Sequence, residues 1–386
     1  MSKQKRCFLL LLAVLLLLPH LSIRGTAQND ELLPDVSAQS AVLMEAESGN
    51  VAFEKNAHKR LPIASTTKIA TALTALELAP PETIISVSSE AVGVEGSSVY
   101  LTENETLTLE QLLYALLLES ANDAAVAIAV GLCDSVEAFA AEMNKIVAAL
   151  GLKDTHFVNP HGLDHEDHYS TAYEMALLTR HAMKNERLKT IVSTRKTTIP
   201  HASTDGARLL VNHNKLLRLY DGCIGVKTGF TKHSGRCLVS AAEREGVTLI
   251  AVTLNAPSDW NDHTAMLDYG FSRYRSVLLA EKDALIHRMP IVGGTQEEVL
   301  LCNPEELRIT LPVTHGSIRC VVEASHFSYA PVYAGENLGV AVFYCDTNRD
   351  GIEERVAETP LLSCNTVTKP IKKGFWQWLR ALFGKD

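Results

Sequence analysis

The chain has 386 residues, too many for one ordinary hydrophobic core, so two domains are expected. Hydrophobic residues make up 46% and charged residues 21%, the balance of a folded globular protein rather than a disordered one. A formal net charge of −9 argues against a nucleic-acid partner, which needs a basic surface.

The chain opens with a targeting pattern. Lys3, Lys5 and Arg6 precede an apolar run over residues 8–18, and Gly25-Thr26-Ala27 offers small residues to a signal peptidase. The run is short for a membrane span. Residues 1–27 are expected to be a signal peptide, with the mature chain starting near Gln28 outside the cytoplasm. An uncleaved anchor is the alternative, which Pro19 and the small residues after it disfavour. Of eight cysteines, Cys7 lies in this segment. The remaining Cys133, Cys223, Cys237, Cys302, Cys320, Cys345 and Cys364 are odd in number and contain no C-x-x-C, so no zinc site is expected. One or two disulfides in the last third compete with a reading as small buried hydrophobes.

Residues 40–47 and 51–54 read as two strands about a Ser48-Gly49-Asn50 turn. Pro62 and Ala64-Ser65 open a helix that Pro80-Pro81 stops near residue 78. Thr108 and Gln111 form a capping-box pattern before a leucine-rich helix. Ser120 interrupts it, and a further helix starts at residue 124. Both are too apolar for a surface, so an all-α lobe with a buried core is expected. Asn159-Pro160-His161-Gly162-Leu163 reads as a loop, and Thr171 with Glu174 as a second capping box. Residues 223–228, 236–242 and 247–254 read as an antiparallel meander, followed by a helix over 262–274. The first strands and this meander are expected to meet in one sheet. From Val277 onward, short alternating strands are expected at 284–288, 298–301, 307–311, 318–322 and 339–343, forming a small all-β domain. Asp346, Asn348, Asp350, Gly351 and Glu353 resemble a calcium loop, but position twelve falls on Ala357. The segment is read as an acidic hairpin turn.

Three motifs carry the chemistry. Ser65-Thr66-Thr67-Lys68 is S-x-x-K, Ser120-Ala121-Asn122 is S-x-N, and Lys227-Thr228-Gly229 is the only K-T-G. Ser2 with Lys5 and Ser193 with Lys196 also match the first pattern; Ser48 with Asn50 and Ser363 with Asn365 match the second. Only the first-named matches precede K-T-G in order with domain-sized gaps. Ser65 and Lys68, three apart, project from one helix face. A serine hydroxyl needs a base, and a lysine serves only if burial or a neighbouring cation lowers its pKa. Lys68 sits in an otherwise small and apolar segment, where a cation needs a reason. Lys227 is the candidate neighbour, and Gly229 would let a substrate backbone approach the strand edge. The bland readings are an N-cap for Ser65, capping of the following helix by Ser120 and Asn122, and a solvent-seeking Lys227. The three motifs together favour a cleft.

With Leu61-Pro62-Ile63-Ala64 before Ser65, Asn159-Pro160-His161-Gly162-Leu163, His168-Tyr169-Ser170-Thr171-Ala172 and Gly225-Val226 before the K-T-G, the chain resembles the low-molecular-mass D-alanyl-D-alanine carboxypeptidases, penicillin-binding serine peptidases of the bacterial cell wall. The resemblance implies an α+β fold. A β-lactamase/DD-peptidase-like catalytic domain (28–275) would precede the small all-β domain (276–366). It implies an acyl-enzyme on Ser65, Lys68 as base and Ser120 as proton relay. Asn122 would hold the peptide amide, Lys227 and Thr228 would recognise the terminal carboxylate, and Gly229 would complete the substrate-binding strand. The backbone N–H groups of Ser65 and Phe230 would form the oxyanion hole. Some relatives carry a histidine where this chain has Phe230. Peptidoglycan stem peptides are the implied substrate and β-lactams the implied inhibitors, with no metal or organic cofactor. A class A β-lactamase shares the motifs, but the stretch holding Glu166 lacks its E-x-x-L-N pattern. A wall-binding pseudoenzyme is the non-enzyme alternative.

Residues 367–386 are expected to form an amphipathic helix. At 100° per residue Phe375, Trp376, Trp378, Leu379, Leu382 and Phe383 fall on one arc, opposite Gln377, Arg380 and Gly384, with Lys372 and Lys373 before it. That composition suits a helix lying on the outer face of the cytoplasmic membrane. A helix docked on the protein is the alternative.

Overall fold

The computed structural model describes residues 33–201 and 206–370. The expected signal peptide, and Phe375, Trp376, Trp378, Leu379, Leu382 and Phe383 of the tail, lie outside the described residues. The tail helix expected from residue 367 does not begin there: Val367 bridges Val332 through backbone hydrogen bonds, and residues 367–370 are not helical. Strands β1 (Ser40–Glu45) and β2 (Val51–Lys55) form a hairpin. A 3-10 turn at Ala64–Thr67 leads into α1 (Lys68–Leu78). Then come β3 (Ile84–Ser86), β4 (Thr106–Thr108), α2 (Leu109–Leu118), α3 (Asn122–Cys133), α4 (Val136–Ala149), α5 (Ala172–Ala182), α6 (Glu186–Ser193), β5 (Lys196–Pro200), β6 (Ala207–Val211) and the short α7 (Leu216–Leu219). The meander β7 (Cys223–Thr231), β8 (Gly235–Arg244) and β9 (Val247–Leu254) precedes α8 (Asp259–Arg273).

The first sheet has the order β2-β1-β9-β8-β7, so both ends of this region do meet, and β7 is an edge strand. Side chains alternate across its strands as the pleat requires. Val42, Met44, Ile250 and Val252 face the helical lobe, while Ala41, Leu43, Leu249 and Ala251 face the α8 side. Every residue of β1 is therefore buried.

The helical lobe is not purely α. β3 pairs antiparallel with β4 across a long connection, and β5 with β6 as a small hairpin. The helix at 64–78 starts later than its sequence suggests. Thr66 Oγ1 donates to Ile63 O (2.6 Å) and Thr67 Oγ1 to Ala64 O (2.8 Å), local bonds that hold a tight turn instead of an α-helix. The helix expected from 124 begins at Asn122. Thr108 and Gln111 make the full capping box. Thr171 caps α5, but Glu174 bonds Lys153 N, Asp154 N and Thr155 Oγ1 instead of closing a box.

From Tyr274 the described chain is built of strands and their connections. β10 (Tyr274–Ala280) follows α8 directly; that helix starts three residues before its expected start and ends one residue before its expected end. β11 (Ile286–Val292), β12 (Glu298–Cys302), β13 (Leu307–Pro312), β14 (Ile318–Ala324), β15 (Ser328–Tyr329), β16 (Asn337–Cys345) and β17 (Glu354–Ser363) complete it. β10 pairs with β13; the rest form a sheet of order β14-β16-β17-β12-β11-β15. β10, β15 and β17 escaped the sequence reading. The acidic segment at 346–353 is a hairpin connection: Asp346 accepts from Asp350 N (3.1 Å) and Gly351 N (2.9 Å). Cys302 and Cys364 form a disulfide; Cys133, Cys223, Cys237, Cys320 and Cys345 are free.

Candidate active site

Ser65 sits in the 3-10 turn that α1 continues. The residue before it, Ala64, has φ +47°, a conformation costly for a residue with a Cβ. Gly162, at φ +88°, covers this turn so closely that an added Cβ would lie 1.9 Å from Ala64 O. The Asn159–Leu163 loop is shaped for this contact. Asn159 Oδ1 accepts from Gly162 N (2.7 Å), and Thr71 of α1 donates to Pro160 O (2.6 Å). His168 ties the same turn from below, its Nε2 2.8 Å from Thr67 Oγ1 and its Nδ1 accepting from Val158 N (3.2 Å). Burial, with help from neighbouring histidines, pushes the His168 pKa down to about 3, so it is neutral.

Lys68 is fully buried at the start of α1. Its Nζ donates to Ser65 Oγ (2.9 Å), Asn122 Oδ1 (2.7 Å) and His161 O (2.7 Å). All three acceptors are uncharged. Burial first, and the Lys227 charge second, hold the Lys68 pKa well below its ordinary value, with Asp123 opposing weakly. Lys227, 1% exposed on β7, donates to Thr228 O (2.8 Å), and burial lowers its pKa to about 7.

Asn122 does not cap α3: the N-cap is Ala121, without a side-chain bond. Its amide is engaged at both ends, by Lys68 and by Glu95 O (2.6 Å). Ser120, at φ +62°, lines the cleft without a hydrogen bond to Ser65 or Lys68. Gly229 also packs within the protein. An added Cβ would lie 3.0 Å from Ser65 N and 3.2 Å from Ile63 O, so its absent side chain seats β7 against the serine turn.

The resulting cleft, about 310 Å³, is lined by Ser65, Ser97, Ser120 and His213 on one side and by Thr228, Gly229, Phe230, Arg236, Asp259 and Trp260 on the other. The Phe230 side chain is exposed. Glu166 lines a separate cavity with Arg60, Pro62 and His233. Sequence reasoning missed His161, whose backbone oxygen binds Lys68, and Arg236, which pairs with the buried Asp259 (2.9 Å) beside Trp260. It also missed Asp123, whose carboxylate fixes the cleft rim through Ser98 Oγ (2.7 Å) and Leu101 N (3.0 Å). The Asn-Pro-His-Gly run carried a signal for the first; nothing local marked the others.

A two-part fold with a serine bonded to a desolvated lysine, between a helical lobe and an edge strand, defines an active-site-serine hydrolase of the penicillin-binding class. A model of the D-alanyl-D-alanine carboxypeptidase family matches residues 26–258. The D-alanyl-D-alanine carboxypeptidase DacF of Bacillus subtilis (strain 168) is 33% identical over 357 residues, covering 90% of this chain and 89% of the relative. The chain belongs to the D-alanyl-D-alanine carboxypeptidase family. Penicillin binding protein 5 from Haemophilus influenzae superposes with a TM-score of 0.65 at 27% identity, over 88% of this chain and 99% of that one. The Streptomyces K15 DD-transpeptidase does so with a TM-score of 0.60 at 32% identity, over 62% and 99%.

Proposed function

We propose that the cleft removes the terminal D-alanine from peptidoglycan stem peptides through an acyl-enzyme on Ser65. The observation that carries this reading is the 2.9 Å bond from Lys68 Nζ to Ser65 Oγ, with only uncharged acceptors around the amine. A lysine whose pKa is held down is neutral often enough to take the serine proton. Ser65 Oγ then attacks the penultimate carbonyl, and its oxygen is received by the backbone N–H groups of Ser65 and Phe230. As the carbonyl re-forms, the C–N bond breaks. Lys68 gives up the proton it took from Ser65, and Ser120, lining the same cleft, relays it to the departing D-alanine nitrogen once substrate is bound. Water then hydrolyses the ester. Thr228 and Lys227 receive the substrate carboxylate, which restores the Lys227 charge, and Asn122 fixes the Lys68 amine. The peptide lies along β7, whose free edge supports strand addition. A β-lactam enters the same route and stalls as an ester, because Glu166 lines another cavity.

Residues 1–27 direct export, residues 276–366 form a separate β module, and residues 371–386 hold the enzyme peripherally on the outer face of the membrane. The module reading rests on two clusters of buried apolar residues that this region builds for itself.

Intact-mass analysis with penicillin, followed by a D-alanine release assay, tests the function. The adduct is expected on the Ser65 peptide and is lost in Ser65→Ala. D-alanine release from a peptide is expected alongside slow penicilloyl hydrolysis. Rapid penicillin turnover without D-alanine release would establish a β-lactamase instead. Neither adduct nor D-alanine release would leave a pseudoenzyme.

A further inference from the structure

The described chain ends beside an exposed aromatic edge. Val367 exchanges two backbone hydrogen bonds with Val332 (2.9 and 2.8 Å), and Thr368 O accepts from Thr295 N (2.8 Å). Ala334 N donates to Thr366 Oγ1 (3.0 Å). These bonds clamp the end of the β region between the turn after β11 and the segment after β15. Residues 371–386, with their arc of large apolar side chains, follow from there.

On the same edge β15 pairs in parallel with the end of β11, Val292 opposite Tyr329. Paired residues share a face, and Phe327, two before Tyr329, shares it too. The Phe327 and Tyr329 rings meet edge to face at 5.4 Å. Val292 is 49% exposed, Phe327 46% and Tyr329 67%. Tyr333, beside the clamp, is 61% exposed. The inward positions Ile291, Ala330 and Val332 are already buried, so the exposed side chains do not belong to an unfinished core. β15 is the outermost strand of its sheet, where uncovered aromatic side chains are normally avoided.

We propose that this edge is a second membrane-contact surface, with Val292, Phe327 and Tyr329 entering the headgroup region of the bilayer beside the tail. It rests on the reading of residues 371–386 as a membrane-binding helix. The place where the chain leaves the fold selects the occupant. The eight residue steps from Val367 to Phe375 span at most about 29 Å when fully extended, so a bilayer held by the tail lies within reach of the edge. Aromatic rings with a polar tip suit the interface. The cluster carries no charge, so its share of binding is insensitive to salt. The share of Lys372, Lys373 and Arg380 is screened. Two contacts rather than one fix how the cleft faces the wall.

The test uses residues 28–386 and vesicles of phosphatidylglycerol and phosphatidylcholine, with partitioning measured at low and high salt. The double variant Phe327→Ser, Tyr329→Ser is expected to partition about tenfold more weakly at both salt levels, with small-peptide hydrolysis unchanged. Tyr329→Trp is expected to partition more tightly, which separates lipid contact from a folding defect. Unchanged partitioning in both variants overturns the proposal. Tighter binding by the double variant overturns it in favour of an edge that shelters the tail. Loss of a sedimenting dimer in the double variant, with partitioning intact, assigns the edge to a second copy. Trp376→Ser with Trp378→Ser tests the tail alone. If that variant binds like the parent, the tail reading fails, while loss in the Phe327/Tyr329 variant still stands for the edge.

Discussion

The catalytic region buries basic side chains in two ways. Near the β5–β6 hairpin, Arg208 meets Glu105 with both guanidinium nitrogens, Nη1 to Oε1 at 2.5 Å and Nη2 to Oε2 at 2.9 Å, and also bonds Pro200 O and Tyr100 O. Burial pushes the Glu105 pKa up, but the bonds and charge of Arg208 together with the Thr102 hydrogen bonds hold the carboxyl below its ordinary value. Behind the cleft wall, Lys68 and Lys227 are buried without a carboxylate bonded to either amine. A paired charge keeps its charge and holds loops together. An uncompensated one is pushed toward its neutral form, which is unfavourable for folding and useful for catalysis. The difference separates a structural ion pair from a site.

The largest effect should come from the unpaired lysine. Lys68→Met is expected to slow penicillin acylation by about 10³-fold or more, the scale of a lost general base. Its urea midpoint should equal or exceed the parent's, because the buried amine is gone. A stopped-flow acylation rate beside a urea melt measures both, and a large fall in stability would break the comparison. The paired charge should behave oppositely. Arg208→Met leaves Glu105 buried with Thr102 as its remaining partner and no countercharge bonded to it, at a cost of about 3–5 kcal/mol in unfolding free energy. The acylation rate of its folded fraction should change less than about twofold, since Glu105 does not line the cleft. Lost acylation with stability intact would assign the pair to the site.

Much of this was legible in the sequence. The meander, the return of the first strands to it and the three motifs follow from period-two patterns and motif order, which are local signals. The cleft's finer wiring is not local. The bond from Lys68 to His161 O joins residues far apart in sequence, and no pattern announces a backbone oxygen. Nor does any local pattern show that the serine turn packs against Gly229, a contact between segments far apart in the chain. The β5–β6 hairpin was missed because Pro200 and the polar residues near it masked the alternation. β17 was missed because acidic residues and Pro360 interrupt it, although both are tolerated beside solvent.

A smaller effect is read from pH. Lys227 has a folded pKa of about 7, below its ordinary 10.5. Between those values the unfolded chain binds the extra proton, so this group makes stability rise with pH across that window. The slope is at most about 1.4 kcal/mol per pH unit. Lys227→Met is expected to flatten unfolding free energy over the window. A parent profile already flat there, once other groups are matched, would mean that the amine keeps its charge when folded.

The smallest effect concerns Arg236, which stands between the two cases. It lines the cleft, yet it is already paired with Asp259 and its side chain is 42% exposed. Water and Asp259 both screen it, so its pull on a substrate carboxylate is weaker than that of a buried cation. Arg236→Ala is expected to raise KM for a small D-Ala-D-Ala peptide by about threefold to tenfold, with kcat nearly unchanged, as lost ground-state binding requires. The penalty should shrink as salt is added, and it should vanish for a peptide whose terminal carboxyl is amidated. Asp259→Asn removes the competing carboxylate and should lower KM for the same peptide. If Arg236→Ala lowers kcat instead and leaves KM alone, the guanidinium acts at the reacting atoms. It would then belong with Lys68 rather than with the pairs that only hold the fold.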